Sequence, residues 1–158
     1  MFGEITANEI ELLNAYYLLA PNAQKEIKDY LRYQLCKQYK KEVMLAVFNN
    51  QLLHSLLHSL LHMVERDEFD INQVQKRVLQ IKELYFGIFE HIHCKYSEHI
   101  EELDSNEIVK EFGRISFDSI DRACRSGNHI TIRLEIVEFY EGYNKLARKK
   151  DARKIVAV

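Results

Sequence analysis

Turn-forming residues are scarce in this chain of 158 residues, which holds five glycines and one proline and has no tryptophan. So little punctuation leaves most of the chain to regular elements. Cysteine is scarce as well: Cys36, Cys94 and Cys124 are odd in number, far apart and outside any CxxC, which excludes a disulfide framework and a zinc ribbon. That usage fits a reducing compartment, so a cytoplasmic protein is expected. No excess of one charge is present either, with 22 Lys plus Arg against 24 Asp plus Glu and a formal charge of -2. A nucleic-acid partner is not expected, because such binding draws on clustered cations that neutralise phosphates. No apolar run approaches the ~18 residues of a bilayer span, and Met1-Phe2-Gly3-Glu4 lacks the basic start and apolar stretch of an export signal. The chain reads as neither exported nor embedded.

What is present is 47% hydrophobic residues in a length suited to one compact domain, with a core that needs no disulfide or structural metal. A single domain over residues 1–150 is expected, followed by a basic and apolar tail over 151–158.

The apolar period is helical nearly throughout, and six helices are expected, giving an all-α fold. The first spans roughly 7–19, where Thr6 and Glu9 have capping-box spacing and Ile10, Leu13, Tyr16 and Tyr17 share a face. Pro21-Asn22 is read as its end. The second spans roughly 23–48, with Ile27, Tyr30, Leu31 and Leu35 opposite Lys25, Lys28, Asp29 and Arg32; its last stretch, VMLAVF, is apolar all round and predicts burial on several sides. Asn49-Asn50 reads as a break before LLHSLLHSLLH, in which Leu53, Leu56, Leu57, Leu60 and Val64 form a broad face edged by His54, His58 and His62. After the polar loop ERDEFD, Asp70 and Gln73 open the longest helix, roughly 71–102, about 45 Å long. Its face carries Val74, Val78, Ile81, Tyr85, Ile88, Phe89, Ile92 and Tyr96, continued by His99 and Leu103.

Asp104 and Glu107 are read as capping a fifth helix, roughly 105–125, whose face is Ile108, Val109, Phe112, Ile120 and Ala123, and Ser126-Gly127-Asn128 closes it. The sixth, from Ile130 to about Lys150, is apolar twice over. Ile132, Ile136, Phe139, Tyr140, Tyr143 and Leu146 make one face, and Ile130, Leu134 and Val137 another. Two faces need two partners, so a homodimer through Ile130, Leu134 and Val137 is expected. KLARKKDARK, residues 145–154, can complement the helix's negative end, meet an anionic surface or form a tail.

Chemistry-bearing patterns are thin. His54, His58 and His62 at i, i+4 and i+8 span about 12 Å, too far for one ion, and no HExxH accompanies them. Glu90-x-x-His93 is half of a di-iron carboxylate motif, and no second ExxH occurs. No metal site is expected. There is no GxSxG, no glycine-rich phosphate loop and no cysteine with an evident His–Asp setting, so the sequence offers no support for an enzyme. The aromatic residues carry more. Tyr85, Phe86, Phe89 and Ile92, facing Leu53, Leu56, Leu57 and Leu60 with Phe112 or Phe117 beside them, can line a long apolar tunnel, although a helical core has the same pattern. His99 reads as a core histidine, a polar ligand contact or a haem ligand.

Three stretches carry a family resemblance: APNAQKEIKDYLRYQL at 20–35, VLQIKELYFGIFEHI at 78–92 followed by KYSEHIEEL, and FGRISFDSIDRA at 112–123. With the order of helices, they make the chain resemble the non-haem globin-fold sensor domains of Gram-positive signalling proteins. It looks most like the sporulation-inhibitory proteins of Bacillus virulence plasmids, which match a sporulation histidine kinase's sensor domain. The resemblance implies a homodimeric six-helix globin-like bundle without haem, holding a fatty acid in an apolar tunnel and responding to halides such as chloride. It further implies a non-enzymatic protein that inhibits sporulation by competing with the kinase for signal. His99 and Arg114 are the candidate polar or anion contacts. Two alternatives stay open: a haem or gas sensor on the same fold, and a helical protein-interaction regulator with no small-molecule ligand.

Overall fold

The computed structural model describes residues 3–100 and 108–156, with side chains described as far as Arg148. Among these residues there are six helices and no strand: α1 (Ala7–Leu18), α2 (Pro21–Phe48), α3 (Gln51–Val64), α4 (Ile71–Ser97), α5 (Ile108–Ser126) and α6 (His129–Val156). No described helix is long and apolar enough to cross a membrane.

The helix ends follow from local chemistry. Thr6 and Glu9 form a reciprocal capping box on α1, with Thr6 N donating to Glu9 Oε2 at 2.6 Å. Pro21 opens α2 in its first turn, where its missing N–H costs nothing, so it starts the second helix two residues earlier than expected. Asn50 is a cap and not merely a break: its side chain accepts from Leu53 N at 2.9 Å. Asp70 caps α4 by accepting from Asn72 N at 2.9 Å. Gly127, at φ 70, turns the chain after α5 in the left-handed region that favours glycine. Asn128 then caps α6 through Ile130 N and Thr131 N. The expected caps Asp104 and Glu107, and Leu103, lie outside the described residues.

Packing joins five of the six helices. α4 and α6 are each contacted by α2, α3 and α5. The α4 face expected from the sequence is the core: Val74, Val78, Ile81, Tyr85, Phe89, Ile92 and Tyr96 are buried. The VMLAVF stretch of α2 has no exposed residue, as its all-round apolar character requires. Two polar ties fasten α6 to the loop after α3. Arg133 donates to the carbonyls of Val64, at 2.6 Å, and Arg66, and His129 Nε2 donates to Phe69 O at 3.0 Å.

α1 and the first turns of α2 stand apart. α1 has no buried residue and does not pack along any other described helix, and α2 has none before Tyr39. The Ile27, Tyr30, Leu31 stripe, expected to face a core, is 39%, 62% and 55% exposed. It projects beyond Tyr96, near the end of α4, which packs against Tyr39 of α2.

Candidate functional site

The predicted tunnel residues fall at the packed interior. From α3, Leu53, Leu57 and Leu60 are buried and Leu56 half-buried; from α4, Tyr85, Phe89 and Ile92 are buried and Phe86 half-buried; Phe112 of α5 is half-buried. Ring contacts divide the aromatic ones into two clusters. Tyr85 and Phe86 meet Phe117 of α5 at centroid distances of 5.6 and 5.7 Å, and Phe117 and Phe112 meet Phe139 of α6 at 5.0 and 5.6 Å. Phe89 belongs to the other cluster, with Tyr39 of α2 at 6.4 Å and His93 at 5.8 Å.

The first cluster is anchored by polar and steric detail. The Tyr85 hydroxyl donates to Val109 O, and its ring lies against the α5 backbone at Gly113, where a Cβ would stand 2.3 Å from Tyr85 Cε1. Gly113 is therefore what lets α4 and α5 approach. On α6, the Tyr143 hydroxyl donates to Val47 O at 2.9 Å, and burial pushes its pKa above the ordinary tyrosine value.

On the flank of α4 that faces α2 lies an open groove of about 530 Å³, lined by Glu42 and Ala46 of α2 and by Glu83, Leu84, Gly87, Ile88, His91 and Ile92 of α4. Its lining is apolar at Ala46, Leu84, Ile88 and Ile92 and polar at Glu42, Glu83 and His91. Glu42 is held by a network: it accepts from the Tyr96 hydroxyl and from Lys95 Nζ at 3.1 Å, while Gln38 Nε2 donates to the Tyr96 oxygen at 2.9 Å. The Tyr96 hydrogen bond, with help from Lys95, lowers the Glu42 pKa below the usual carboxylate value and keeps it ionised. Glu83 and His91 are the other polar side chains that line it. Ile92 is the tunnel residue that this groove shares. Sequence reasoning missed this groove; the small residues Ala46 and Gly87 on otherwise bulky helices are the signal that could have found it.

The polar candidates are placed differently. His99 is exposed in the turn after α4, its N–H donating to Tyr96 O at 3.0 Å. The helical face projected from Tyr96 does not reach it, because α4 ends at Ser97 and the chain turns. Arg114 is exposed on α5, paired with Glu111 and with Asp118 Oδ2 at 3.7 Å, so two carboxylates already face its guanidinium. The His54, His58 and His62 edge is spent on separate neighbours. His54 Nε2 donates to Phe48 O at 3.0 Å, His58 lies 3.3 Å from the Tyr140 hydroxyl, and His62 lies 3.0 Å from Glu65. Among the described residues, no three His, Cys, Asp or Glu side chains gather as a metal site. Cys36, Cys94 and Cys124 form no disulfide.

On α6 the expected two-faced pattern is present within the chain. Ile132, Ile136, Phe139 and Tyr143 are buried, while Ile130 and Leu134 are 71% and 56% exposed and Val137 is half-buried. No protein-family model matches this chain, and no curated protein or solved structure matches it either. Function must be argued from the chain's own residues.

Proposed function

We propose that this protein is a non-enzymatic sensor domain that takes up an apolar chain of the fatty-acid class and passes on its occupancy through helix packing. The observation that carries the reading is the groove beside α4, with its apolar lining of Ala46, Leu84, Ile88 and Ile92. In this reading an acyl chain lies along α4, over Ala46, Leu84, Ile88 and Ile92. The groove is bounded by both α2 and α4, so a bound chain contacts both helices and favours the packing in which they are best spaced. Only such differential contact shifts a conformational equilibrium.

The family resemblance extends the proposal to a globin-like arrangement of the six helices, to a halide response, and to inhibition of sporulation by competition with a sensor histidine kinase. His99 and Arg114 have no part in it as ligand contacts. A second reading, a helical interaction module without a small molecule, is favoured by the exposed apolar residues of α1 and α2.

The test is calorimetric titration of the full chain with a long-chain fatty acid, beside Gly87→Leu. Beyond its chain neighbours and its own helix backbone, nothing lies within 4 Å of a Cβ built at Gly87, and Gly87 lines the groove, so a larger side chain there should narrow it. Saturable uptake by the wild type, weakened at least tenfold in Gly87→Leu, supports the proposal. Equal uptake by both moves the ligand out of the groove, and no uptake by the wild type leaves the interaction module.

A further inference from the structure

We propose that α2 is a latched lever: it pivots about its C-terminal end, a polar cross-tie to α4 holds it closed, and an occupant of the groove favours the closed position. The link to the groove rests on the function proposed above, whereas the lever itself does not.

The C-terminal end of α2 is pinned. A helix leaves its last carbonyls without partners inside the helix. Two of those in α2 are taken by its neighbours: Val47 O accepts from the Tyr143 hydroxyl of α6 at 2.9 Å, and Phe48 O accepts from His54 Nε2 of α3 at 3.0 Å. The Tyr143 ring packs against both Phe48 and His54, with centroids 5.0 Å away in each case. Val43, Val47 and Phe48 are buried around this point. The other end differs, since no residue of α2 before Tyr39 is buried among the described residues. α1 is tied to that end, where Gln24 Nε2 donates to Tyr16 O at 3.0 Å.

Between the two ends lies the cross-tie. The Tyr96 hydroxyl accepts from Gln38 and donates to Glu42, and Lys95 pairs with the same carboxylate at 3.1 Å. Gln38 and Lys95 are exposed, so water can replace these bonds when they open. At 1.5 Å per residue, Glu42 stands about 8 Å from the pivot at Val47 and Pro21 about 39 Å from it. A separation of about 1 Å at Glu42 therefore becomes roughly 5 Å at Pro21. Opening also draws Glu42, part of the α2 wall of the groove, away from α4. A ligand that touches both walls binds the closed position better, and so shifts the balance towards it.

Two cysteines report the motion. Cys36 lies on the lever, half-buried against the core in the same row as Val43 and Val47, and Cys124 is buried on α5. The test is the rate of N-ethylmaleimide labelling of each thiol, read by peptide mass spectrometry on the full chain. Tyr96→Phe/Lys95→Gln removes the whole cross-tie, and Gln38→Ala/Lys95→Gln removes its exposed part. The expected result is Cys36 labelling at least tenfold faster in the first variant and faster by less in the second, with the Cys124 rate unchanged in both. Palmitate should slow Cys36 labelling in the wild type. An unchanged Cys36 rate in both variants overturns the lever. So does Cys124 accelerating together with Cys36 in the second variant, whose substitutions fall on exposed residues. Faster Cys36 labelling in the variants with no effect of palmitate upholds the lever and overturns its link to the groove.

Discussion

Replacing Gly113 by alanine tests the close approach of α4 and α5 directly. In an open helix interior, glycine to alanine stabilises by roughly 0.5–1 kcal/mol, because the unfolded chain loses conformational freedom. At Gly113 the new methyl would stand 2.3 Å from Tyr85 Cε1 and 3.0 Å from Cδ1. The ring must move by about 1 Å to restore ordinary contact, which is near 3.5–4.0 Å. It has little room to do so: Tyr85 is fully buried, held at its hydroxyl by Val109 O and flanked by Phe86 and Phe117 at 5.4 and 5.6 Å. Overpacking of this kind costs about 1–3 kcal/mol, and losing the tyrosine hydrogen bond adds about 1 kcal/mol. Set against the helix-propensity gain, Gly113→Ala should destabilise by about 1–3 kcal/mol, lowering the melting temperature by several degrees. Gly87→Ala is the internal control, since that position has nothing within 4 Å and should gain the full 0.5–1 kcal/mol. Urea unfolding followed by far-UV circular dichroism measures both. A Gly113→Ala variant as stable as Gly87→Ala would refute the packing described for Tyr85.

Arg133→Ala should cost about 1–2 kcal/mol in the same assay, because it removes two charge-assisted hydrogen bonds to the carbonyls of Val64 and Arg66 at the end of α3. Arg133→Lys should recover only part of the loss, since one ammonium cannot reproduce the fork. Acid should weaken the α2–α4 contact through Glu42. Its pKa is lowered in the folded chain by Tyr96 and then Lys95, so its contribution is complete above the unfolded carboxylate value and is lost as pH falls below about 4.5. Urea midpoints measured from pH 6 to pH 3 should therefore fall less steeply in Glu42→Gln than in the wild type. Identical slopes would remove Glu42 from the network.

The α4 core was readable because one unbroken helix carries it. Val74 to Tyr96 keep a single period for about six turns, and the buried set among them is the predicted one apart from half-buried Ile88. The α1 and α2 faces were equally periodic, yet they are exposed. Period tells that a side of a helix is apolar, and what covers it depends on where its neighbours stop. His99 was misplaced for a related reason: its position follows from extending a helix that in fact ends at Ser97. Gly113 sits in the middle of an otherwise bulky apolar face, a sign of close backbone approach, but its partner Tyr85 could not be named from spacing alone. Similarly, Phe139 joins the tunnel candidates only because α5 and α6 bring it against Phe112 and Phe117.

The proposed function requires that the chain carry an apolar small molecule. Native mass spectrometry of the purified full chain, followed by organic extraction and an absorption spectrum of the same sample, tests it most directly. The expected result is bound mass that extracts as fatty acid, with no Soret band. Protein of bare polypeptide mass with nothing extractable would contradict it, and a Soret band would replace the fatty acid with haem.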